Sequence, residues 1–154
     1  MSDNSLKKTT KELDAMLENS NWDNISKILR ENEQSMEDSD RQFYYYMKDT
    51  IESKGFRLNE VYIAAGFDYN KGSDILEMHR HTPNRDKILR LCIAAHFNLE
   101  EINKALKLYG MKPLYSKDRR DFIIISAVQS RVFDIGDIDA TLINEKLTPL
   151  LSYK

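Results

Sequence analysis

The stretch Phe97-Asn98-Leu99-Glu100-Glu101-Ile102-Asn103-Lys104-Ala105-Leu106, closed by Met111-Lys112-Pro113-Leu114, returns 36 residues later. The second copy reads Phe133-Asp134-Ile135-Gly136-Asp137-Ile138-Asp139-Ala140-Thr141-Leu142, closed by Leu147-Thr148-Pro149-Leu150. Upstream of each, Arg85-Asp86 with Ile88-Leu89 echoes Arg120-Asp121 with Ile123-Ile124 at an offset of 35. The unit is therefore a helix, a turn capped by Asn98 or Asp134 and a second helix closed by x-Pro-Leu, with a one-residue slip between copies. Such a pair cannot bury its apolar face alone, whereas stacking one copy on the other gives both a continuous core. The repeat predicts an all-α chain in which residues 111–154 form a C-terminal helical hairpin buttressing what precedes it. Phe122-Ile123-Ile124-Ile125 is too apolar for one helix face and predicts burial on two sides; a strand is the competing reading, since Ile favours strands, but no neighbouring segment offers a partner.

Only five glycines and three prolines, against 41% hydrophobic and 31% charged residues in 154, agree with a helix-rich globular chain and exclude a disordered or collagenous one. The lone Cys92 makes no internal disulfide, and the polar start Met1-Ser2-Asp3-Asn4-Ser5 lacks a secretory apolar core, so a reducing cytoplasm is the expected compartment. No apolar run approaches the roughly 20 residues that span a bilayer, and no membrane partner is expected. The net charge of −2 is unevenly spread: residues 1–42 carry six Lys/Arg against ten Asp/Glu, residues 54–90 seven against five. A small basic excess thus falls on the middle of the chain, which is enough for DNA only if the cations are well placed.

Along the chain, Thr9 caps a short helix with Leu13, Met16 and Leu17 on one face, and Trp22, Ile25, Ile28 and Leu29 recur at helical spacing over Trp22–Glu31. The acidic stretch 32–40 reads as a connector. Arg41–Lys54 places Phe43, Tyr44, Met47 and Ile51 inward and ends at Gly55. Leu58–Ala65 ends at Gly66, and Tyr69–Met78 follows with Ile75 and Leu76 inward. Asn84 caps Arg85–Ala95 after Thr82-Pro83. Two short helices about a glycine turn are a helix-turn-helix pattern, with the second helix free to project. Three segments result: 1–39 with short helices and the connector, 40–110 with the helix-turn-helix, and 111–154 with the hairpin.

Phe43…Ile51-Glu52-Ser53-Lys54-Gly55-Phe56-Arg57-Leu58-Asn59-Glu60-Val61-Tyr62-Ile63-Ala64-Ala65-Gly66, followed by Thr82-Pro83-Asn84-Arg85-Asp86-Lys87-Ile88-Leu89-Arg90-Leu91-Cys92-Ile93-Ala94, resembles the XRE-type, λ-repressor-like helix-turn-helix domain over about residues 40–108. The flanks, with Thr9-Thr10-Lys11-Glu12-Leu13, Glu31-Asn32-Glu33…Met36, Pro113-Leu114-Tyr115 and Arg119-Arg120-Asp121, resemble a subgroup of small bacterial proteins of Gram-positive type. The resemblance implies a λ-repressor-like bundle followed by the second stacked hairpin, and double-stranded DNA as partner. It places Tyr69, Asn70, Lys71, Ser73 and Asp74 at base edges and Arg57, Arg80 and Arg85 on phosphates. Asp74 stands where the family often has a base-reading glutamine; it can accept from cytosine N4 but is repelled by phosphate. Glu77 adds a second carboxylate, and Met78 replaces a usual turn glycine. Such domains read paired half-sites, so a homodimer is expected.

Other chemistries find little support. His79, His81, Cys92 and His96 lack the spacing of a zinc site, no glycine-rich phosphate loop occurs and no cofactor is implied. The two histidines flanking Arg80 would gain charge as pH falls and strengthen an anion contact. Tyr44-Tyr45-Tyr46 fans across a helix, and Cys92 on the apolar face of its helix reads as a core residue. No nucleophile and base form a set, so a non-enzyme is expected. The alternatives to a DNA-binding regulator are a helical protein–protein adaptor that has lost base readout, and a regulatory partner of an enzyme encoded nearby. For Arg80 and Arg85, the plain alternative to phosphate contact is ion pairing with Glu77 or Asp86.

Overall fold

The computed structural model describes residues 8–33, 36, 41–79 and 81–151. The described residues are helical and strand-free, and no helix among them is long and apolar enough to cross a membrane. The chain divides into two units, 1–39 and 40–154.

In the first unit, α1 (Thr10–Glu18) begins as its capping signal predicts, the Thr9 hydroxyl accepting from the Glu12 N–H at 3.1 Å. A 3-10 turn, Trp22–Asn24, leads into α2 (Ile25–Glu31). That turn corrects one expectation. Its tighter winding takes Trp22 off the face of Ile25, Ile28 and Leu29 and leaves it 81% exposed. Asn32 closes α2, donating to the Ile28 carbonyl at 2.7 Å and accepting from the Lys8 ammonium. No residue of α1 or α2 is buried.

The second unit holds α3 (Gln42–Ser53), α4 (Leu58–Ala64), α5 (Tyr69–Leu76), α6 (Arg85–Ala94), α7 (Leu99–Tyr109), α8 (Arg119–Gln129) and α9 (Ile135–Asn144). Its centre is α6, where Ile88, Leu89, Leu91, Cys92 and Ile93 are fully buried, because α4, α7 and α9 all pack around it. Burial of the Cys92 thiol raises its pKa, as suits a core residue. α3 packs on α4, α5 and α7, and α8 packs on α7 and α9. Ile124 of α8 is fully buried and Ile123 and Ile125 on either side of it pack partly against the core, whereas Phe122, expected inward with them, is 60% exposed.

Within this second unit, successive helices are joined by one device. A residue in the left-handed region follows the helix, and the next N–H reaches back to a carbonyl in the last turn. Gly55 and Gly66 take this position at φ +85, as their sequence positions predict, and the non-glycine residues His96 (φ +63) and Arg131 (φ +59) take it at the ends of α6 and α8. Phe97 N–H meets the Cys92 carbonyl at 3.0 Å and Val132 N–H the Ala127 carbonyl at 2.8 Å. Asn98 then caps α7 directly after Phe97, whereas Phe133 intervenes between Val132 and the α9 cap Asp134. The repeat slips by one residue at this joint.

The two copies also share their polar fastenings. Arg85 pairs with Asp121, and Arg120 pairs with Asp86 through two bonds of 2.7 and 2.9 Å. The echoed Arg-Asp dipeptides are thus exchanged between α6 and α8. At the other end, Asn103 accepts from the Leu114 N–H at 2.9 Å and Asp139 from the Leu150 N–H at 2.6 Å. These bonds give x-Pro-Leu its role: a side chain of the second helix holds the leucine amide in each copy.

Candidate nucleic-acid interface

The α4–α5 region is fixed from three sides. Arg90, 9% exposed on α6, donates through Nε to the Ala65 carbonyl at 2.8 Å and through a terminal nitrogen to that of Gly66 at 3.2 Å. Its guanidinium lies 4.1 Å from the Phe67 ring centre, and burial lowers its pKa. These bonds satisfy carbonyls left over at the end of α4. Next, the Asp68 carboxylate caps α5 by accepting from the Lys71 N–H at 2.8 Å. Then Gly72 lies so close to Tyr62 of α4 that a Cβ there would fall 2.4 Å from the ring. Only glycine permits that approach. Burial also raises the Tyr62 pKa, keeping its phenol neutral.

With Gly72, Ile75 and Leu76 turned inward, the opposite face of α5 is presented to solvent. Tyr69 is 60% exposed, its ring edge-on to Tyr62 at 5.8 Å, and Asn70 and Lys71 are exposed beside it. Ser73 and Asp74, grouped with them by sequence, are half-buried. The Ser73 hydroxyl donates to Glu77 at 2.8 Å, while the His79 ring lies 3.4 Å from the Asp74 carboxylate and 3.8 Å from that of Glu77. Both carboxylates are therefore gathered at the C-terminal end of α5.

No family model, curated protein or solved structure matches the chain. The site therefore rests on its own geometry.

The proposed phosphate contacts divide. Arg57 is exposed at the start of α4, its N–H donating to Glu60 at 3.0 Å. Arg80 lies outside the described residues. Arg85 is held by Asp121 and, at 3.4 Å, by the Pro113 carbonyl, so the ion pair weighed for it from sequence forms with Asp121 in place of Asp86. Lys87 was missed by the sequence reading. It lines, with Lys71, Asp74, His81 and Pro83, a cleft of about 330 Å³ beside α5. The loop at this cleft is fixed by Tyr109, whose hydroxyl accepts from the buried Thr82 N–H at 2.8 Å and whose ring stacks on His81 at 4.8 Å.

The histidines and Cys92 considered for zinc are not brought together, and no group of three possible ligands occurs among the described residues. Of the tyrosine triplet, Tyr46 is half-buried with its hydroxyl donating to the Glu101 carbonyl at 3.3 Å, and burial pushes its pKa up to about 12. Tyr44 instead lies under the Arg41 guanidinium, 4.6 Å from ring centre.

Proposed function

We propose that residues 40–110 are a λ-repressor-like helix-turn-helix domain binding duplex DNA as a transcriptional regulator, and that α8 and α9 are a second hairpin stacked on α6 and α7. In this reading α4 and α5 are the helix-turn-helix and α5 enters the major groove. The observation that carries it is the exposed Tyr69-Asn70-Lys71 face at the start of a helix clamped to α4 at Gly72. The Arg90 bonds to the turn hold α5 at a fixed angle, which base reading requires. Met78, standing where the resembled family carries a glycine, keeps a glycine-like φ of +58, so the turn survives the change of side chain. The reciprocal Arg-Asp pairs support the stacked hairpin.

Asn70 and Lys71 supply base-edge donors, Lys87 and Arg57 phosphate contacts, and Asp74 an acceptor for a cytosine amino group. The His79 ring lies beside Asp74 and Glu77, at the C-terminal end of α5. Anisotropy titration of the full chain with a labelled mixed-sequence duplex at several salt concentrations tests this. Binding that weakens steeply with salt is expected, with the slope reduced by about one unit in Lys71→Ala if Lys71 meets phosphate, and lost affinity confined to particular sequences if it meets a base. Salt-independent binding, or Lys71→Ala without effect on affinity or sequence preference, contradicts it.

One observation favours the adaptor reading. The first unit has an apolar groove of about 350 Å³ between α1 and α2, lined by Leu13, Met16, Leu17, Ile25, Ile28 and Leu29. A protein helix laid in such a groove would make this unit a docking element, whatever α5 binds.

A further inference from the structure

The two repeated helix pairs are related by exchange. Arg85 pairs with Asp121 as Arg120 pairs with Asp86, and α6 packs on α9 as α8 packs on α7. An approximate two-fold axis produces this reciprocity, each pair turning the same face to the other. The first pair is also covered by α4, packed on α6, and by α3, packed on α7, and its Ile88, Cys92 and Ala105 are fully buried. The counterparts of these residues in the second pair are Ile123, Ala127 and Thr141. There Ile123 and Ala127 are half-buried and Thr141 is exposed, and all three line an open groove along α8 and α9.

Phe122 divides this groove. It borders a depression of about 470 Å³ toward the start of α8 and another of about 260 Å³ toward its end, and is itself 60% exposed. A projecting aromatic ring beside an apolar hollow is self-complementary, because a two-fold axis places each ring in the other copy's hollow. The charges obey the same rule. Lys117 and Arg119 border the first depression, where Glu145 offsets one of them, and Asp137 borders the second. Among the described residues none of these four takes part in an ion pair. Antiparallel pairing of two such faces sets the basic end of each against the acidic end of the other.

We propose that the groove face of α8 and α9 is a dimer interface whose occupant is a second copy of this chain. The two α8 helices lie antiparallel across each other, Phe122 of each enters the hollow of its partner, and Lys117 and Arg119 of each meet the partner's Asp137. The interface is independent of what α5 binds, since no residue of α5 lines the groove.

Sedimentation equilibrium of the full chain without DNA tests the proposal. The wild type should dimerise with a Kd of about 10 µM or tighter. Phe122→Asp, at an exposed position, should keep the wild-type circular dichroism and weaken association at least about tenfold. Arg119→Glu and Asp137→Lys should each weaken self-association, since each homodimer then opposes like charges at both ends. Mixed one-to-one, these two variants oppose unlike charges at both ends and should regain the wild-type affinity within about threefold. A wild type still monomeric at about 200 µM, a folded Phe122→Asp that dimerises as the wild type does, or a mixture that associates no better than either variant alone would each overturn the interface. The mixing experiment decides the matter even if Phe122→Asp fails to fold.

Discussion

Replacing Arg120 should cost more than replacing the carboxylate it pairs with. The Arg120 guanidinium makes four hydrogen bonds: two to Asp86 at 2.7 and 2.9 Å, one to the Thr148 carbonyl at 2.8 Å and one to that of Pro149 at 3.2 Å. The paired side chains are only 19% and 21% exposed, so the interaction is better shielded than a surface ion pair. Each carbonyl bond is worth about 1 kcal/mol net, and the bidentate pair about 1.5 kcal/mol after screening. Arg120→Met should therefore destabilise by about 3.5 kcal/mol, and Asp86→Asn by about 1.5 kcal/mol, because Arg120 keeps its two carbonyls. At about 3 °C per kcal/mol for a chain of this size, these become Tm losses of about 10 °C and 5 °C. A double-mutant cycle by urea denaturation should recover a coupling of about 1.5 kcal/mol. Equal single losses, or a coupling below about 0.3 kcal/mol, would refute the reasoning.

Gly72→Ala should destabilise by about 2–3 kcal/mol in the same assay, since its Cβ would press on the Tyr62 ring; a change under about 0.5 kcal/mol would mean that α5 can shift freely. Arg90→Met strips the Ala65 and Gly66 carbonyls of their donor and should lower stability by about 2 kcal/mol while weakening DNA binding, whereas wild-type affinity would show that the turn holds itself. His96, though exposed as a residue, should titrate below its ordinary value of 6.5, chiefly through the partial desolvation of its ring beside Phe133 and Phe56 and then through Arg131 and Lys54. Its folded-state pKa being depressed, the unfolded chain takes up protons first as pH falls through about 6.5, so His96 makes stability decline there and His96→Asn should flatten the decline. By proton NMR, Arg131→Asn should move the midpoint part of the way back up, and a midpoint above 6.5 in the wild type would contradict the assignment.

Helix positions were legible in the sequence where caps and terminators speak locally. Thr9, Asn84, Asn98 and Asp134 begin helices as their side chains predict, and Gly55 and Gly66 end them in the left-handed conformation that a Cβ disfavours. Periodicity failed where winding changed, as at Trp22, and where a helix lies at the edge of the packing, as at Phe122. The helical pattern in the sequence runs over Tyr69–Met78, but α5 ends at Leu76 because Glu77 leaves helical geometry and Met78 turns left-handed.

Of the candidate interface, the exposed Tyr69, Asn70 and Lys71 could be read from amphipathicity. The residues that fix α5 could not. Arg90 looked like one more cation in a helix, and only the packing of α6 against the end of α4 gives its guanidinium two carbonyls. The repeat did carry a signal for the Arg-Asp exchange, since an identical dipeptide 35 residues apart lets each arginine meet the other copy's aspartate. Sequence reasoning weighed Arg85 against its neighbour Asp86 because adjacency is visible in a string and cross-helix pairing is not.

The central claim is that α5 reads DNA sequence, and selection of bound duplexes from a random pool by the full chain tests it most directly. The account predicts enrichment of a defined motif, with Asn70→Ala or Lys71→Ala relaxing preference at particular base positions. A pool that stays random through successive rounds would contradict it and leave the apolar groove of the first unit as the better guide to function.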